Sequence, residues 1–189
     1  MKNDIGENMT LQELAGIVYA HLIKNNITAT LTGGSVVTIY TDNKYESQDL
    51  DFISPDEHKE IVAVMAKINF TPDPKNLKNL RHPQCSFTVE FPGRVTMIGG
   101  AFEKVDHEVE LNGVKVKMLS PTQSVMDRLA AFIAWKDVQG LDQAEWICEK
   151  HPVNLEKILA WAKAETATDE QMKTITKRCQ QGIKKFLKV

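Results

Sequence analysis

Gly33-Gly34-Ser35 and, after a gap of thirteen residues, Asp49-Leu50-Asp51-Phe52 are the residues whose types and spacing point to chemistry on phosphates. A Gly-Gly turn lets the backbone approach a ligand closely, and the free N–H groups at the start of a following helix attract anions. Ser35 can add a hydroxyl donor to the same phosphate. In Asp49-Leu50-Asp51-Phe52 the strand period of two sends both carboxylates to one face and Leu50 and Phe52 to the other. Two adjacent like charges are costly unless a cation sits between them. Hard carboxylate oxygens suit Mg²⁺, which normally takes one or two carboxylates plus substrate phosphates. A phosphate cradle and a metal pair would therefore converge. Either piece alone reads equally well as an ordinary turn or as solvated aspartates on an edge strand; the two together, at this spacing, favour the phosphate reading.

The elements that must position these residues are legible around them. Thr28-Ala29-Thr30-Leu31 alternates and is rich in β-branched residues, so it predicts a strand running into the two glycines. A short helix then runs from Ser35 to near Tyr40, and Thr41 to Glu46 is a polar loop. Upstream, Thr10 and Glu13 form a capping box ahead of Leu11, Leu14, Ala15, Val18 and Leu22 at helical spacing. Downstream, Ser54-Pro55-Asp56-Glu57 predicts an N-cap with proline at the first helical position, before the apolar stripe Ile61, Val64, Met65 and Ile68. Phe70 to Arg81, with Pro72 and Pro74, reads as a loop able to reach over the site. Cys85 to Phe91 alternates as a strand with Ser86, Thr88 and Glu90 on its polar face. Val105 to Glu110 and Val114 to Met118 are strands joined across Asn112-Gly113, a strong hairpin signal. From Ser120 the pattern is helical only, with a start at Ser120-Pro121-Thr122-Gln123 and further helices at about 141–150, 154–163 and 169–187. The expected class is α/β (α+β): a mixed sheet with flanking helices over residues 1–119, then a helical domain over 120–189.

Composition bounds the answer without naming a function. The chain has 189 residues, 42% hydrophobic and 25% charged, with a net charge of −2, as an ordinary globular protein does. Cys85, Cys148 and Cys179 are widely spaced and odd in number, which suits reduced thiols rather than a disulfide framework or a Cys-x-x-Cys metal pair. The stretch from Met1 to Asn8 lacks an apolar signal region, and no run approaches the ~18 apolar residues of a membrane span. The expectation is a cytoplasmic protein with no membrane partner.

The Gly-Gly-Ser turn and the Asp-x-Asp strand together resemble the signature of the DNA polymerase beta type nucleotidyltransferase superfamily. Within it the chain is most similar to small bacterial proteins related to the abortive-infection type II toxins, through Gly33, Gly34, Ser35 and Ser47-Gln48-Asp49-Leu50-Asp51. An arginine commonly precedes that serine in the relatives, whereas this chain has Glu46. The resemblance implies an NTP as donor and Mg²⁺ as cofactor, with Asp49 and Asp51 as metal ligands and catalytic residues, and Gly33, Gly34 and Ser35 on the nucleotide. It also implies a third carboxylate on a neighbouring strand, for which Glu90 is the candidate. A second resemblance covers Ser120 to Ala144: relatives carry a basic residue on a helix and then an acid in a short loop. Arg128 matches the basic position, with Lys136 as a weaker substitute, and Asp137 or Asp142 matches the acid. Arg128 could neutralise triphosphate charge or pair with Asp127 or Glu145.

Other residues carry weaker signals. Arg81 or His82 could touch a phosphate or base. The five histidines lack metal spacing, and Trp135, Trp146 and Trp161 read as core. From Met172 onward there are six Lys or Arg and no acid, a basic face that either complements its own helix dipole or steers an acidic acceptor such as RNA. The implied function is Mg²⁺-dependent transfer of a nucleotide to a hydroxyl or phosphate acceptor, be it RNA, a protein or a small molecule. A toxin–antitoxin or phage-defence setting, with a cognate antitoxin as protein partner, follows from the resemblance only. The rival is a catalytically silent member of the same fold that binds nucleotide or a protein and regulates, motivated by Glu46 and by the unassigned third carboxylate. A sugar-nucleotide transferase using Asp-x-Asp is disfavoured by the Gly-Gly-Ser turn.

Overall fold

A computed structural model describes residues 5–188; residues 1–4 of the N-terminal segment and residue 189 lie outside the described residues. The elements run α1 (Leu11–Lys24), β1 (Thr30–Thr32), α2 (Gly33–Tyr40), β2 (Asp49–Ile53), α3 (His58–Ala66), β3 (Thr71–Asp73), β4 (Asn76–Arg81), β5 (Thr88–Glu90), β6 (Met97–Ile98), β7 (Ala101–Phe102), β8 (Glu108–Leu111), β9 (Val114–Lys117), α4 (Pro121–Trp135), α5 (Val138–Lys150), α6 (Leu155–Ala164) and α7 (Asp169–Phe186). This is the expected mixed α+β architecture with flanking helices. The chain divides into two compact units. The first comprises residues up to Ser35, Glu46–Thr96 and Lys104–Met118, and the second comprises Val36–Tyr45, Met97–Glu103 and Leu119 onward.

The first unit is built on a sheet of order β1-β2-β5-β4-β3. β1 and β2 are antiparallel, β2 and β5 parallel, and β5, β4 and β3 antiparallel. Alternation decides which face is buried: Leu31, Leu50, Phe52, Leu80 and Val89 are all fully buried. Each such side chain contributes about 1.5–3 kcal/mol of transfer free energy. Helix α1 starts at the Thr10–Glu13 capping box, with Glu13 N–H donating to Thr10 Oγ1 over 3.2 Å and Thr10 N–H donating to Glu13 Oε2 over 2.8 Å. Its buried face includes Gly16, whose α-carbon lies against the Leu111 carbonyl of the β8–β9 hairpin.

Two expectations for this unit fail for identifiable reasons. Phe70 to Arg81 is a β-hairpin rather than a loop, because Pro72 sits on edge strand β3 and Pro74 in the turn, where neither removes a ladder hydrogen bond. Helix α3 begins at His58, not at Pro55. Its N-cap Glu57 makes no side-chain cap bond. The Ser54 hydroxyl instead meets Asp56, whose Oδ2 accepts the Thr28 N–H over 2.7 Å. Local tertiary bonding displaces the capping signal.

The second unit is helical apart from the β6–β7 hairpin, two strands too short for a period-two signal. The Ser120–Gln123 and Thr168–Gln171 capping boxes form at the starts of α4 and α7. The Tyr40 hydroxyl donates to the Leu119 carbonyl over 2.6 Å, and His151 Nε2 lies 2.9 Å from the Tyr40 carbonyl. Burial raises the Tyr40 phenol well above its ordinary range, so it stays a neutral donor. Trp161 is core, donating to the Ile98 carbonyl over 3.2 Å, and Trp146 is half-buried. Trp135 is 82% exposed, against the expectation of a core residue. Helical position alone does not distinguish a buried face from the last turn of a helix. Among the described residues no helix is long and apolar enough to cross a membrane.

The packing at Gly16 sets two effects against each other. Alanine gains up to about 1 kcal/mol of helix propensity over glycine, but its methyl would lie 2.7 Å from the Leu111 carbonyl oxygen. Backbone must move to accept it, and overpacking of this kind costs about 1–3 kcal/mol. Gly16→Ala is therefore expected to be net destabilising in urea unfolding, not stabilising as an exposed helical Gly→Ala change would be.

Candidate active site

The glycine turn and the aspartate strand are joined through one contact. Gly33 opens α2 with φ +70°, a left-handed conformation that side chains disfavour. A methyl built on its α-carbon would collide with the Asp51 carboxylate. Position 33 thus needs glycine twice over, for backbone conformation and for the space Asp51 fills. The pairing of β1 with β2 fixes this approach, with Thr32 opposite Asp51 and the Thr32 hydroxyl donating to the Asp51 carbonyl over 3.2 Å.

Register extends the polar face across the sheet. Asp51 pairs with Glu90 and Asp49 with Thr88 in the parallel β2–β5 ladder, while Leu50 pairs with Val89 on the buried face. On the far side of β5, Asn79 pairs with Glu90 and Arg81 with Thr88. Residues in register share a face of the sheet. One row therefore runs Thr32, Asp51, Glu90, Asn79, and the next carries Asp49, Thr88 and Arg81. The strand carrying Glu90 is the immediate neighbour of the aspartate strand. Thr32 and Asn79 were missed from sequence. The parity of Thr30 and Thr32 could have pointed to the first, whereas Asn79 lay in a segment read as a loop.

Hydrogen bonds hold several of these groups. The Ser47 hydroxyl donates to Asp49 Oδ1 over 2.7 Å, so the serine of the Ser-x-Asp pattern orients the first aspartate. Ser35 is fully buried, and its hydroxyl donates to the Thr32 carbonyl over 3.0 Å, tying the first turn of α2 back to β1. Gly34 is buried behind it. Arg81 pairs with Asp73 at 2.5 Å across the β3–β4 hairpin. His82 is buried against Phe70 and accepts the Gln84 N–H at Nδ1 over 3.2 Å. Burial holds its imidazole below the ordinary histidine range, as expected for a neutral structural ring.

The donor set decides what kind of metal site is feasible. Among the described residues no three His, Cys, Asp or Glu side chains form a group able to enclose a metal ion. Two carboxylates on one strand face, with a helix N-terminus and its glycine turn beside them, instead match the way Mg²⁺ is held jointly by protein and phosphate oxygens. Asp49 and Asp51 would hold such an ion. An all-protein cage is not built here.

The residues singled out in the helical segment belong to the second unit. Arg128 is half-buried and pairs with its sequence neighbour Asp127, its Nε donating over 3.1 Å. Lys136 is exposed and caps α4 in a left-handed conformation. Asp137 caps α5, accepting the Gln139 N–H over 3.0 Å, and Asp142 pairs with Arg178. Arg178 also meets Glu145, and these acids hold its guanidinium above the ordinary arginine value even though burial alone would lower it.

The contact between Gly33 and Asp51 yields the first test of the site. Gly33→Ala adds left-handed strain to a collision with Asp51, and a loss of about 1–3 kcal/mol in urea unfolding is expected. The same change at Gly6, where the space is open, is expected to cost less than half as much.

No protein-family model matches the chain, and no curated protein matches it. Solved structures do resemble it. An antigenic nucleotidyltransferase-like protein from Paracoccidioides brasiliensis superposes with a TM-score of 0.56 at 14% identity, covering 90% of this chain and 95% of that one. The structure of ANT(2")-Ia in complex with adenylyl-2"-tobramycin superposes with the same TM-score and identity, covering 84% of this chain and 98% of that one. At these identities the likeness establishes the fold: the chain is folded as a nucleotidyltransferase-like protein.

Proposed function

We propose that the chain is a nucleotidyltransferase that binds an NTP with Mg²⁺ at Gly33, Gly34, Asp49 and Asp51 and transfers its nucleotide to a hydroxyl or phosphate acceptor. The observation that carries this reading is the seating of Asp51: its carboxylate packs on Gly33 at the mouth of α2 and stands in register with Glu90. Backbone N–H groups of the glycine turn are suited to the terminal phosphates of the donor. Mg²⁺ held by Asp49 and Asp51 would supply neutralisation of phosphate charge. The protein's own part is positioning. Ser47 orients Asp49, Gly33 admits Asp51, and Glu90 is the group suited to take the proton of an acceptor hydroxyl as its oxygen attacks the α-phosphorus in line with the departing pyrophosphate. The ANT(2")-Ia complex with an adenylylated tobramycin supports a nucleotide donor and a small hydroxyl acceptor as one possibility for this fold. A toxin–antitoxin or phage-defence setting rests on the resemblance of the Gly-Gly-Ser and Ser-x-Asp-x-Asp motifs alone.

A second reading is favoured by a specific observation. The Ser35 hydroxyl is spent on the Thr32 carbonyl, and Glu46 stands where relatives carry arginine, so the cradle presents less positive potential to a triphosphate than the motif implies. On this reading the chain binds nucleotide or a protein partner and regulates without turnover.

Two measurements test the site, the first its metal assignment and the second whether it turns nucleotide over. Asp49→Asn with Asp51→Asn is expected to abolish Mg²⁺-dependent NTP binding, read by titration calorimetry, while circular dichroism stays unchanged; retained affinity in the folded double variant would sink the metal assignment.

Glu90→Gln is expected to leave NTP binding intact and to lower turnover of radiolabelled NTP by about 10²–10⁴-fold, as loss of a general base does. Wild-type protein that binds NTP without turning it over in the presence of RNA, protein and small-molecule acceptors would favour the regulatory reading.

A further inference from the structure

We propose that the outer face of α7, together with Trp135, is a binding surface for single-stranded RNA. The inference does not rest on the transfer reaction, since binding is measured without any triphosphate.

The cations of α7 fall into two sets. Arg178 and Lys185 turn toward α5, where they pair with Asp142, Glu145 and Glu149. Lys173, Lys177, Lys184 and Lys188 are exposed and make no ion pair among the described residues. At 100° per residue Lys173, Lys177 and Lys184 lie within about 40° of one another, and they span roughly 16 Å of helix, with Lys188 just beyond its end. From Met172 onward no acid interrupts them.

The helix dipole does not account for this face. It favours cations in the last turn and fades within that turn, which covers Lys184 and leaves Lys173 and Lys177 in the first half of the helix unexplained. Lys173 with Lys177 is a pair of like charges four apart on the helix, an arrangement that destabilises it. The chain as a whole carries a net charge of −2, so the face is a local concentration of charge rather than a bulk property. A polyanion supplies the missing countercharge.

An aromatic platform lies beside it. Gln171 Nε2 donates to the carbonyls of Phe132 and Ile133 over 3.3 and 2.9 Å, docking the start of α7 on the end of α4. This leaves Trp135 82% exposed in a groove of about 960 Å³ that Thr174 also lines. Thr174 is flanked on α7 by Lys173 and Lys177, and Lys173, Lys177 and Lys184 line a second groove of about 530 Å³. Glu170, in the first turn, and Glu165 line the Trp135 groove along with Lys136, so the lysine row and not that groove supplies the positive charge. An exposed indole in a groove that reaches Thr174 of the lysine-bearing helix suits a strand whose bases are free to stack, and a paired duplex offers none.

The test is fluorescence anisotropy with a labelled oligo-uridine of about 12 nucleotides, titrated at several salt concentrations between about 50 and 200 mM. Wild-type protein is expected to bind with an affinity that falls steeply with salt. Lys173→Gln, Lys177→Gln, Lys184→Gln and Lys188→Gln together are expected to flatten the log–log slope by about 0.7 per lysine, about 3 in all. Trp135→Ala is expected to weaken binding about fivefold or more with the slope unchanged. All substitutions are at exposed positions, and circular dichroism checks the fold. The proposal is overturned by absent binding at the lowest salt, by an unchanged slope in the lysine variant, or by unchanged affinity in Trp135→Ala. It is equally overturned if poly-glutamate competes as well as RNA, which would make the face a site for an acidic protein.

Discussion

Everything at the candidate site depends on Asp51 occupying the space above the Gly33 α-carbon. A side chain at position 33 would remove both the left-handed turn that opens α2 and the room for the carboxylate. The two halves of the motif are therefore one steric unit, although they are far apart in sequence. Pairing of β1 with β2 sets the height of that contact, and pairing of β2 with β5 hands the same register on to Glu90. A slip of one residue in either ladder would send the carboxylates to the apolar face and Leu50 to solvent. The fully buried Leu31, Leu50, Phe52 and Val89 oppose such a slip. Hydrophobic alternation is thus what holds the anionic face together against its own repulsion.

Much of this was legible in the residues because it is local. A Gly-Gly pair after a β-branched run, alternating Asp-x-Asp, and the starts at Thr10–Glu13 and Ser120–Gln123 each act over a few positions, and each forms as read. The parity of Glu90 on its strand was also readable, but its pairing partner was not, since register between strands is a long-range property. The failures share that cause. Ser54-Pro55-Asp56-Glu57 carries a good capping signal, yet Asp56 is taken by the Thr28 N–H from another part of the first unit. Pro72 and Pro74 argued against strands, but Pro72 lies on an edge strand, whose outward N–H groups are outside the ladder, and Pro74 lies in the turn.

Charged residues were the least readable. Arg128, and Asp137 or Asp142, take roles only through the resemblance, and Glu145 enters only as a local partner for Arg128. Their contacts are an ion pair with Asp127, a helix cap, and a network around Arg178. A long side chain can reach several partners from one backbone position, so its type and spacing constrain it weakly. The sheet residues Asp49, Asp51 and Glu90 differ in this respect, because the backbone ladder dictates where their side chains emerge.

The passage of Val36–Tyr45 into the second unit bears on how the chain matures. Val36, Val37 and Tyr40 are buried there, with Tyr40 bonded to Leu119 and His151. On a ribosome adding about 5–20 residues per second, this apolar stretch waits roughly 5–20 s between its own synthesis and that of His151. Throughout that interval the glycine turn and the aspartate strand are tethered by a segment that has no core to enter. The nascent chain thus holds an unburied apolar stretch in the middle of its motif until the residues that cover it have been made.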